Sequence, residues 1–245
     1  MDLARELVDL HETPREVPPF SQRYPRLTAD DGYAAARLLH EHRLAQGWKP
    51  VGRKIGFTNR TLWDRYGVHE PIWGWVYDRT LIHARDNQAT VSLAGLVQPR
   101  IEPEIAFKLK QPDSIEWMAH SVEIVQCHHP QWKVTIADCT ADNGLHGRLI
   151  VGAPIPLRGN LADVEARLFK GERLVDKGVG ANVLGGPLLS LAHLVELLKK
   201  QPDAPPLRAG EIITTGVLTD AHPVAAGETW RTEVTGFDGM TLTFA

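Results

Sequence analysis

Glu102 and Glu104 stand two residues apart in IEPEI, residues 101–105, inside a run that otherwise reads as a half-buried strand. Side chains alternate along a strand, so both carboxylates project from one face while Ile101, Ile105 and Phe107 supply apolar surroundings. Two anions leaving water side by side are costly unless something neutralises them. Three arrangements meet that need: both acids face solvent on a strand edge, they share a proton, or a cation sits between them. A third carboxylate, Glu123 in SVEIVQ, occurs alone in another short apolar run. Three carboxylates on strands suit a hard divalent ion such as Mg2+ or Mn2+, which prefers oxygen ligands and keeps positions open for water or substrate. Spacing by itself does not choose between this cation site and the solvated edge.

Lys54 in VGRKIGFT lies in an apolar, glycine-flanked stretch, where a buried ammonium requires a partner or a task. Asp78 follows WGWVY, and Asp138 and Asp142 lie in IADCTADNG, beside expected strand ends where Asp also serves ordinary turns. CHHPQW offers Cys127, His128 and His129 as zinc ligands, but adjacent side chains diverge on a strand and no second Cys/His pair completes a set. The two cysteines, Cys127 and Cys139, are too few for a disulfide framework and read as reduced, partly buried thiols. KGVGANVLGG is glycine-rich before a helix, yet it lacks the G-x-G-x-x-G order and the following βαβ unit of a dinucleotide fold.

The elements that must position these groups fall into two textures. In LTADDGYAAARLLHEHRLAQGW, Thr28 is an N-cap, Asp30 and Asp31 occupy the first turn, apolar residues recur at helical spacing, and Gly47 is the stop. A shorter helix over residues 2–10 precedes it, and the proline-bearing ETPREVPPFSQRYP reads as an extended connection. From residue 48 onward, short β-rich runs alternate with Gly, Pro, Asn and Asp: VGRKIGF, WGWVYD, RTLIHA, IEPEIAFKL, SVEIVQ, WKVTIAD and GRLIVGAPI. VEARLFKGERLVDKG reads as a hairpin turning near Lys170 and Gly171, and an amphipathic helix over about 188–200 precedes the closing strands EIITTG, TWRTEV and MTLTFA. The expected organisation is an N-terminal helical segment, residues 1–47, and a β-rich catalytic domain, residues 48–245.

Composition narrows the function classes. A chain of 245 residues, 43% hydrophobic and 23% charged, can bury a substantial core and is too apolar for disorder. A net charge of −3 without a Lys/Arg-rich run leaves no footprint for phosphate backbones, so nucleic acid is not expected as a partner. MDLARELVDLHE opens with charged residues rather than an apolar signal core, and no run of about 20 apolar residues stands out, so the expected location is the cytoplasm and no membrane is involved.

Taken in order, GRKIGFT, GVHEPIWGWVYD, VQPRIEPEIAF, VEIV and WKVTIADCTADNG resemble the fumarylacetoacetate hydrolase superfamily, and within it the hydratase/decarboxylase branch. GVGANVLGGPLLSLAHLVELL and LRAGEIITTGVLTDAHPVAAGETW extend the resemblance over nearly the whole chain. The resemblance implies an α+β fold, a mixed β-roll with peripheral helices and an N-terminal helical segment. It implies that Glu102, Glu104 and Glu123 hold Mg2+ or Mn2+, that Lys54 is the active-site lysine, and that Asp78 falls near an acidic position of the family. It implies a lyase, first a hydratase adding water to a 2-hydroxy-2,4-dienoate of the 2-oxopent-4-enoate type to give a 4-hydroxy-2-oxo acid. A 2-oxo acid decarboxylase of the 4-oxalocrotonate type, a hydrolase of a diketo acid C–C bond, and a non-catalytic partner subunit are the alternatives. Homo-oligomers, with association to a pathway homologue in some cases, belong to the same implication.

The chain also departs from the family. KLKQPDSIEWMAHS is short where relatives carry a longer, helix-containing segment, which implies a more open rim. Ile72 stands where many relatives have an acid, Gly186 replaces a histidine, and Leu145 and His146 occupy positions where small residues are usual. His146 is thereby a candidate acid/base or a filler of the pocket, and the residues leave both open.

Overall fold

The computed structural model describes residues 3–60, 63 and 68–245. Its helices are α1 (Leu3–Glu12), α2 (Phe20–Arg23), α3 (Ala29–Ala45), α4 (Ile136–Ala141) and α5 (Pro187–Lys200). The strands are β1 (Pro50–Gly56), β2 (Ile72–Tyr77), β3 (Leu81–His83), β4 (Gln88–Val91), β5 (Arg100–Gln111), β6 (Ser114–Val125), β7 (His146–Val151), β8 (Glu165–Lys170), β9 (Arg173–Val179), β10 (Ile212–Thr214), β11 (His222–Pro223), β12 (Thr229–Val234) and β13 (Met240–Phe244).

Two mixed sheets result. The larger runs β2-β1-β10-β5-β6-β7-β3 with β11 paired to β5, and the smaller runs β4-β13-β12-β8-β9. Parallel pairing joins β1 to β10, β3 to β7 and β4 to β13, and the remaining pairs are antiparallel. At the centre, β5 and β6 form a long hairpin around Pro112 and Asp113. The segment KLKQPDSIEWMAHS is therefore strand, turn and strand, which accounts for its shortness: the two glutamate-bearing strands are joined directly.

Alternation along this hairpin assigns its two faces. Ile101, Ile105 and Phe107 of β5 and Val122 and Ile124 of β6 pack against Leu168, Val234, Met240 and Leu242 of the smaller sheet. Burying a side chain of this kind is worth about 1.5–3 kcal/mol, so register is strongly specified, and a slip by one residue would turn the glutamates into the core. The even-numbered positions of β5 face the other way. Helix α5 covers another part of the large sheet, with Leu194, Leu197 and Leu198 against Ile55, Trp73 and Ile213.

Several expectations hold locally. Helix α3 starts at Thr28 with a reciprocal capping box to Asp31 and ends at Gln46, followed by Gly47 in a left-handed turn. The hairpin at Gly171 forms as β8 and β9. Others are corrected. WKVTIAD is not a strand: residues 136–141 are helix α4, because Thr135 and Asp138 form a capping box that starts a helix within an apolar run. The proline-bearing connection is extended only in part, since Pro19 is followed by the helical turn α2, where Phe20 is fully buried against His129. Strand β4 was not anticipated from the sequence. Residues 180–200 are also long and apolar enough to pass a membrane-span criterion by length and composition, contrary to expectation. In the fold this stretch is a short 3-10 turn followed by α5, whose Leu194, Leu197 and Leu198 lie in the core.

Candidate metal centre and active-site cleft

Glu102 on β5 and Glu123 on β6 are direct partners in the antiparallel register, and Glu104 lies one pleat further along β5. Carboxylate oxygens of all three lie within 4.8 Å of one another. Glu104 and Glu123 are completely buried, whereas Glu102 opens partly onto a cleft. Within that cluster Glu104 Oε1 and Glu123 Oε2 have no hydrogen-bond partner. Burial, opposed by the Lys54 ammonium and reinforced by Glu123, pushes Glu102 up to about 7. Burial together with the neighbouring Glu123 and Glu102 raises Glu104 well above the usual carboxylate range.

A buried, oxygen-only donor set of three converging carboxylates with unengaged oxygens fits a hard divalent cation and not zinc. It does not fit the solvated strand edge, because two of the three acids have no access to water. The remaining lone pairs are held in place by the fold: Thr214 Oγ1, on the neighbouring strand β10, and the Gly216 amide at 2.9 Å both donate to Glu104 Oε2.

Lys54 comes from β1, two strands away from β5, and enters the same cluster. Its Nζ donates to the Gly144 carbonyl at 2.9 Å and lies 3.3 Å from Glu123 Oε2, an ion pair without hydrogen-bond alignment. Burial works to depress Lys54, but Glu123, Glu102 and Glu104 outweigh it, so its ammonium is held above the ordinary value. The acceptor Gly144 belongs to a turn in which Asn143, Gly144 and Leu145 all have positive φ, at 50°, 65° and 64°. The Asn143 side chain bonds both the amide and the carbonyl of Trp75 on β2, which anchors this unusual backbone.

His146 is buried beside the cluster with both ring nitrogens engaged, Nδ1 to Glu123 Oε1 at 2.8 Å and Nε2 to Thr80 Oγ1 at 2.9 Å. Both ring nitrogens thus have partners inside the protein, and the ring bridges Glu123 and Thr80. Asp78 is not brought to the site. It is exposed at the end of β2 and accepts hydrogen bonds from the Lys49 and Arg79 amides, the ordinary turn chemistry of Asp. Thr80, two residues later, is the residue of this turn that reaches the cluster. Ile72 and Leu145 line the cleft, as their unusual identities suggested, whereas Gly186 is the N-cap of α5.

The cleft itself is a cavity of about 120 Å³ bounded by Lys54, Glu102, Ile72, Leu145, Trp132 and Arg100, among others. Pockets for drug-sized ligands run from about 300 to 1,000 Å³, so this one suits a short acid. A larger groove of about 710 Å³ lies between α3, β2 and the proline-rich loop at 201–206. It contains none of the three carboxylates, whereas the smaller cavity is lined by Glu102 and Lys54.

Sequence reasoning left one cluster unrecognised. His11 Nε2 and His128 Nδ1 each bond one oxygen of Asp142, at 2.8 and 2.7 Å, and Arg43 donates to His11 Nδ1 at 3.0 Å. These residues could be taken for metal ligands. A ligating histidine, however, donates its second N–H to an acceptor, and here a guanidinium donor occupies that place. The cluster is an ion-pair clasp. Burial works against ionisation of Asp142, but His128 and His11 outweigh it and hold its carboxyl far below the usual range. Two signals pointed here, the adjacent histidines of CHHPQW and the helical spacing of Asp138 and Asp142, but the partner His11 is contributed from the far end of the chain.

No protein-family model matches the chain. The chain is 30% identical over 256 residues to 2-hydroxyhexa-2,4-dienoate hydratase of Comamonas testosteroni, an alignment covering 98% of this chain and 95% of that protein. It is 29% identical to 4-oxalocrotonate decarboxylase of Pseudomonas sp. strain CF600, covering 97% of this chain and 92% of the relative. The solved structure of 4-oxalocrotonate decarboxylase from Pseudomonas putida G7, complexed with magnesium and adipate, superposes with a TM-score of 0.92 at 27% identity, over 99% of this chain and 96% of that one. Similarity of sequence and of fold therefore runs from end to end, and the chain belongs to the hydratase/decarboxylase branch of the fumarylacetoacetate hydrolase superfamily.

Proposed function

We propose that this protein is a divalent-metal-dependent hydratase that adds water to a 2-hydroxy-2,4-dienoate of the 2-oxopent-4-enoate type, giving a 4-hydroxy-2-oxo acid. The observation that carries the reading is the convergence of Glu102, Glu104 and Glu123 with Lys54 at the end of a small cleft, with Glu104 Oε1 and Glu123 Oε2 buried and without a hydrogen-bond partner. These three glutamates would hold Mg2+ or Mn2+, and the relative solved with magnesium supports a divalent ion. Such an ion, when bound, supplies Lewis-acid stabilisation for the carboxylate and C2 oxygen of a 2-oxo acid as negative charge develops there.

The chain's own residues do the rest. Lys54, fixed by the Gly144 carbonyl, holds an ammonium at the inner end of the cleft, where it would stabilise the negative charge on the C2 oxygen as the dienol gives up its hydroxyl proton and gains one at C5 to become an unsaturated ketone. His146 and Thr80 hold Glu123 by Oε1, so that Oε2, which lies 3.3 Å from the Lys54 ammonium and has no hydrogen-bond partner, would be the oxygen that meets the ion. The apolar wall of Ile72, Leu145, Val125 and Val217 limits the water that can reach the substrate. Exposed Leu188 and Leu189 at the start of α5 support assembly into a homo-oligomer.

A second reading, decarboxylation of a 4-oxalocrotonate-type acid, is favoured by the close superposition on the decarboxylase. One assay separates the two. Purified protein with Mg2+ is offered a panel of 2-hydroxy-dienoates and 2-oxo-enedioates while diene absorbance and CO2 release are followed together. Hydration consumes the diene without CO2, and CO2 release without a hydroxylated product would install the decarboxylase reading. Glu104→Gln is expected to abolish metal-dependent turnover, and activity unchanged at low metal concentration would sink both.

A further inference from the structure

One more polar side chain shares the face of the β5–β6 hairpin from which the three glutamates project. Ser121 of β6 is the direct partner of Glu104 in the antiparallel register and lies two residues before Glu123. Alternation sends its hydroxyl to the glutamate side, where partners on adjacent antiparallel strands have Cβ atoms about 4.5–5.5 Å apart. Ser121 is completely buried, and its Oγ has no hydrogen-bond partner among the described residues. A hydroxyl kept from water without a partner destabilises the fold, and an alanine in its place would not.

The surroundings show which polar groups this hydroxyl can meet. Ala119 precedes it on the same face of β6, Val151 is its partner on β7, and Ala106 follows Glu104 on β5. These three belong to an apolar cluster with Val76, Leu149 and Ile212. On the other side stand Glu104 and Glu123. Ser121 therefore sits on the boundary between an apolar floor and the carboxylates. Depth along β6 gives the same order: Val125 lines the cleft, Glu123 lies further in, and Ser121 further still.

On the two neighbouring glutamates, one oxygen each is already engaged. Glu104 Oε2 accepts from the Thr214 hydroxyl and the Gly216 amide, and Glu123 Oε1 is bonded to His146. Glu104 Oε1, Glu123 Oε2 and Ser121 Oγ are thus three buried oxygens from adjoining positions of one hairpin face, all without a hydrogen-bond partner. A hydrogen bond from Ser121 to either carboxylate would satisfy only part of this set. A hard cation with its water takes lone pairs from several oxygens together, and a neutral hydroxyl adds a donor oxygen without adding to the repulsion among three acids.

We propose that Ser121 is a fourth oxygen-bearing group of the metal centre, closing it on the inner side, away from the cleft, so that its oxygen is engaged when the ion and its water are bound. The inference rests on the reading of Glu102, Glu104 and Glu123 as the metal site. Ser121 is a positioning residue, and no proton or bond of the substrate passes through it.

Calorimetric titration of the metal-free protein with Mg2+ and Cd2+, together with urea unfolding of the metal-free protein, tests this in wild type, Ser121→Ala, Ser121→Cys and Glu104→Gln. Ser121→Ala is expected to bind Mg2+ at least about tenfold more weakly, the lower end of what supporting groups contribute to metal affinity. Its metal-free urea midpoint should stay at or above that of the wild type, because an unpartnered buried hydroxyl has been removed. Ser121→Cys replaces a hard oxygen with a soft sulfur and should move the ratio of Cd2+ to Mg2+ affinity about tenfold or more toward Cd2+. An Mg2+ Kd within about twofold of wild type in Ser121→Ala would overturn the inference, as would an unmoved ratio in Ser121→Cys. A weaker Kd accompanied by a lower metal-free midpoint would also overturn it, since a damaged fold accounts for both. No Mg2+ uptake by the wild type, or uptake that Glu104→Gln retains, would bring down the metal-site reading and the inference with it. Uptake lost in Glu104→Gln but unchanged in Ser121→Ala would bring down the inference alone.

Discussion

At the scale of single residues, His146 decides how Glu123 is presented. With a neutral imidazole, Nδ1–H donates to Glu123 Oε1, and Nε2 lies 2.9 Å from Thr80 Oγ1, whose hydroxyl also reaches the Tyr77 carbonyl at 3.1 Å. Burial lowers the histidine's pKa against the pull of Glu123, in keeping with a neutral ring. Removing the ring leaves a buried carboxylate oxygen without its donor, and partners of metal ligands typically contribute 10–100-fold to affinity. His146→Ala is therefore expected to weaken Mg2+ binding about 10–100-fold, with turnover largely recovered at saturating metal and His146→Gln restoring part of the affinity. Metal titrations followed by calorimetry and by kcat check this. An unchanged metal Kd with a collapsed kcat would instead assign His146 the acid/base role.

At the scale of elements, the crossing of α3 over α4 places the turn that carries Gly144 and precedes His146. Gly32 makes the crossing possible: a Cβ there would lie 2.1 Å from Thr140 Oγ1, 2.7 Å from the Ala137 carbonyl and 2.9 Å from the Ala141 amide. The Gly-to-Ala gain in helix propensity, about 1 kcal/mol, is set against overpacking on backbone atoms that cannot rotate away, about 1–3 kcal/mol. Gly32→Ala should be destabilised overall in urea unfolding and should lose turnover, because α4 leads directly into the turn that accepts from Lys54. Equal or greater stability would show that the helices part at no cost. The two helices also mark the limit of what the sequence discloses. Helix α3 is legible because its cap, period and stop are all local. Helix α4 was misread because its apolar text resembles a strand, although the T-x-x-D capping box at Thr135 was present and prevailed. Likewise the glutamates of β5 are legible through a period of two, and the family resemblance named their use. Thr80, Thr214 and the Gly144 carbonyl reach the site by pairings between strands distant in sequence, and no local pattern announces them.

At the scale of the whole molecule, buried histidines sit where separate parts of the fold meet. His11 joins α1 to the Asp142 clasp, His40 stacks on Trp75 between α3 and β2, and His120 on β6 meets Thr232 of the smaller sheet at 3.0 Å. Burial, with Arg43 adding to it at His11 and His40, brings each of the three down to about 4. Their unfolded-state value is near 6.5, so between about pH 6.5 and 4 the unfolded chain binds more protons than the folded one, and stability falls as pH falls through that window. His120, which is buried, and His11, which is nearly so, contribute at most about 3 kcal/mol each, a large share of a typical 5–15 kcal/mol total, and the part-exposed His40 contributes less. His128 acts in the opposite sense. Burial works against its charge, but Asp142 outweighs it and raises its pKa, so its contribution is full below about 6.5 and is lost as pH rises through the folded value. Glu102 and Glu104, whose carboxyls burial raises, take up protons in the folded state and act against this fall in the same window. The histidine contribution is therefore read by comparing urea unfolding midpoints of wild type and His120→Gln from pH 7.5 to 4.5, where the wild type should lose stability relative to the variant below about 6.5. His120→Gln, which keeps an amide beside Thr232 and cannot be protonated, should flatten the slope in the same window. A pH slope left unchanged by His120→Gln would mean that His120 protonates in place, and that the joint it occupies admits water.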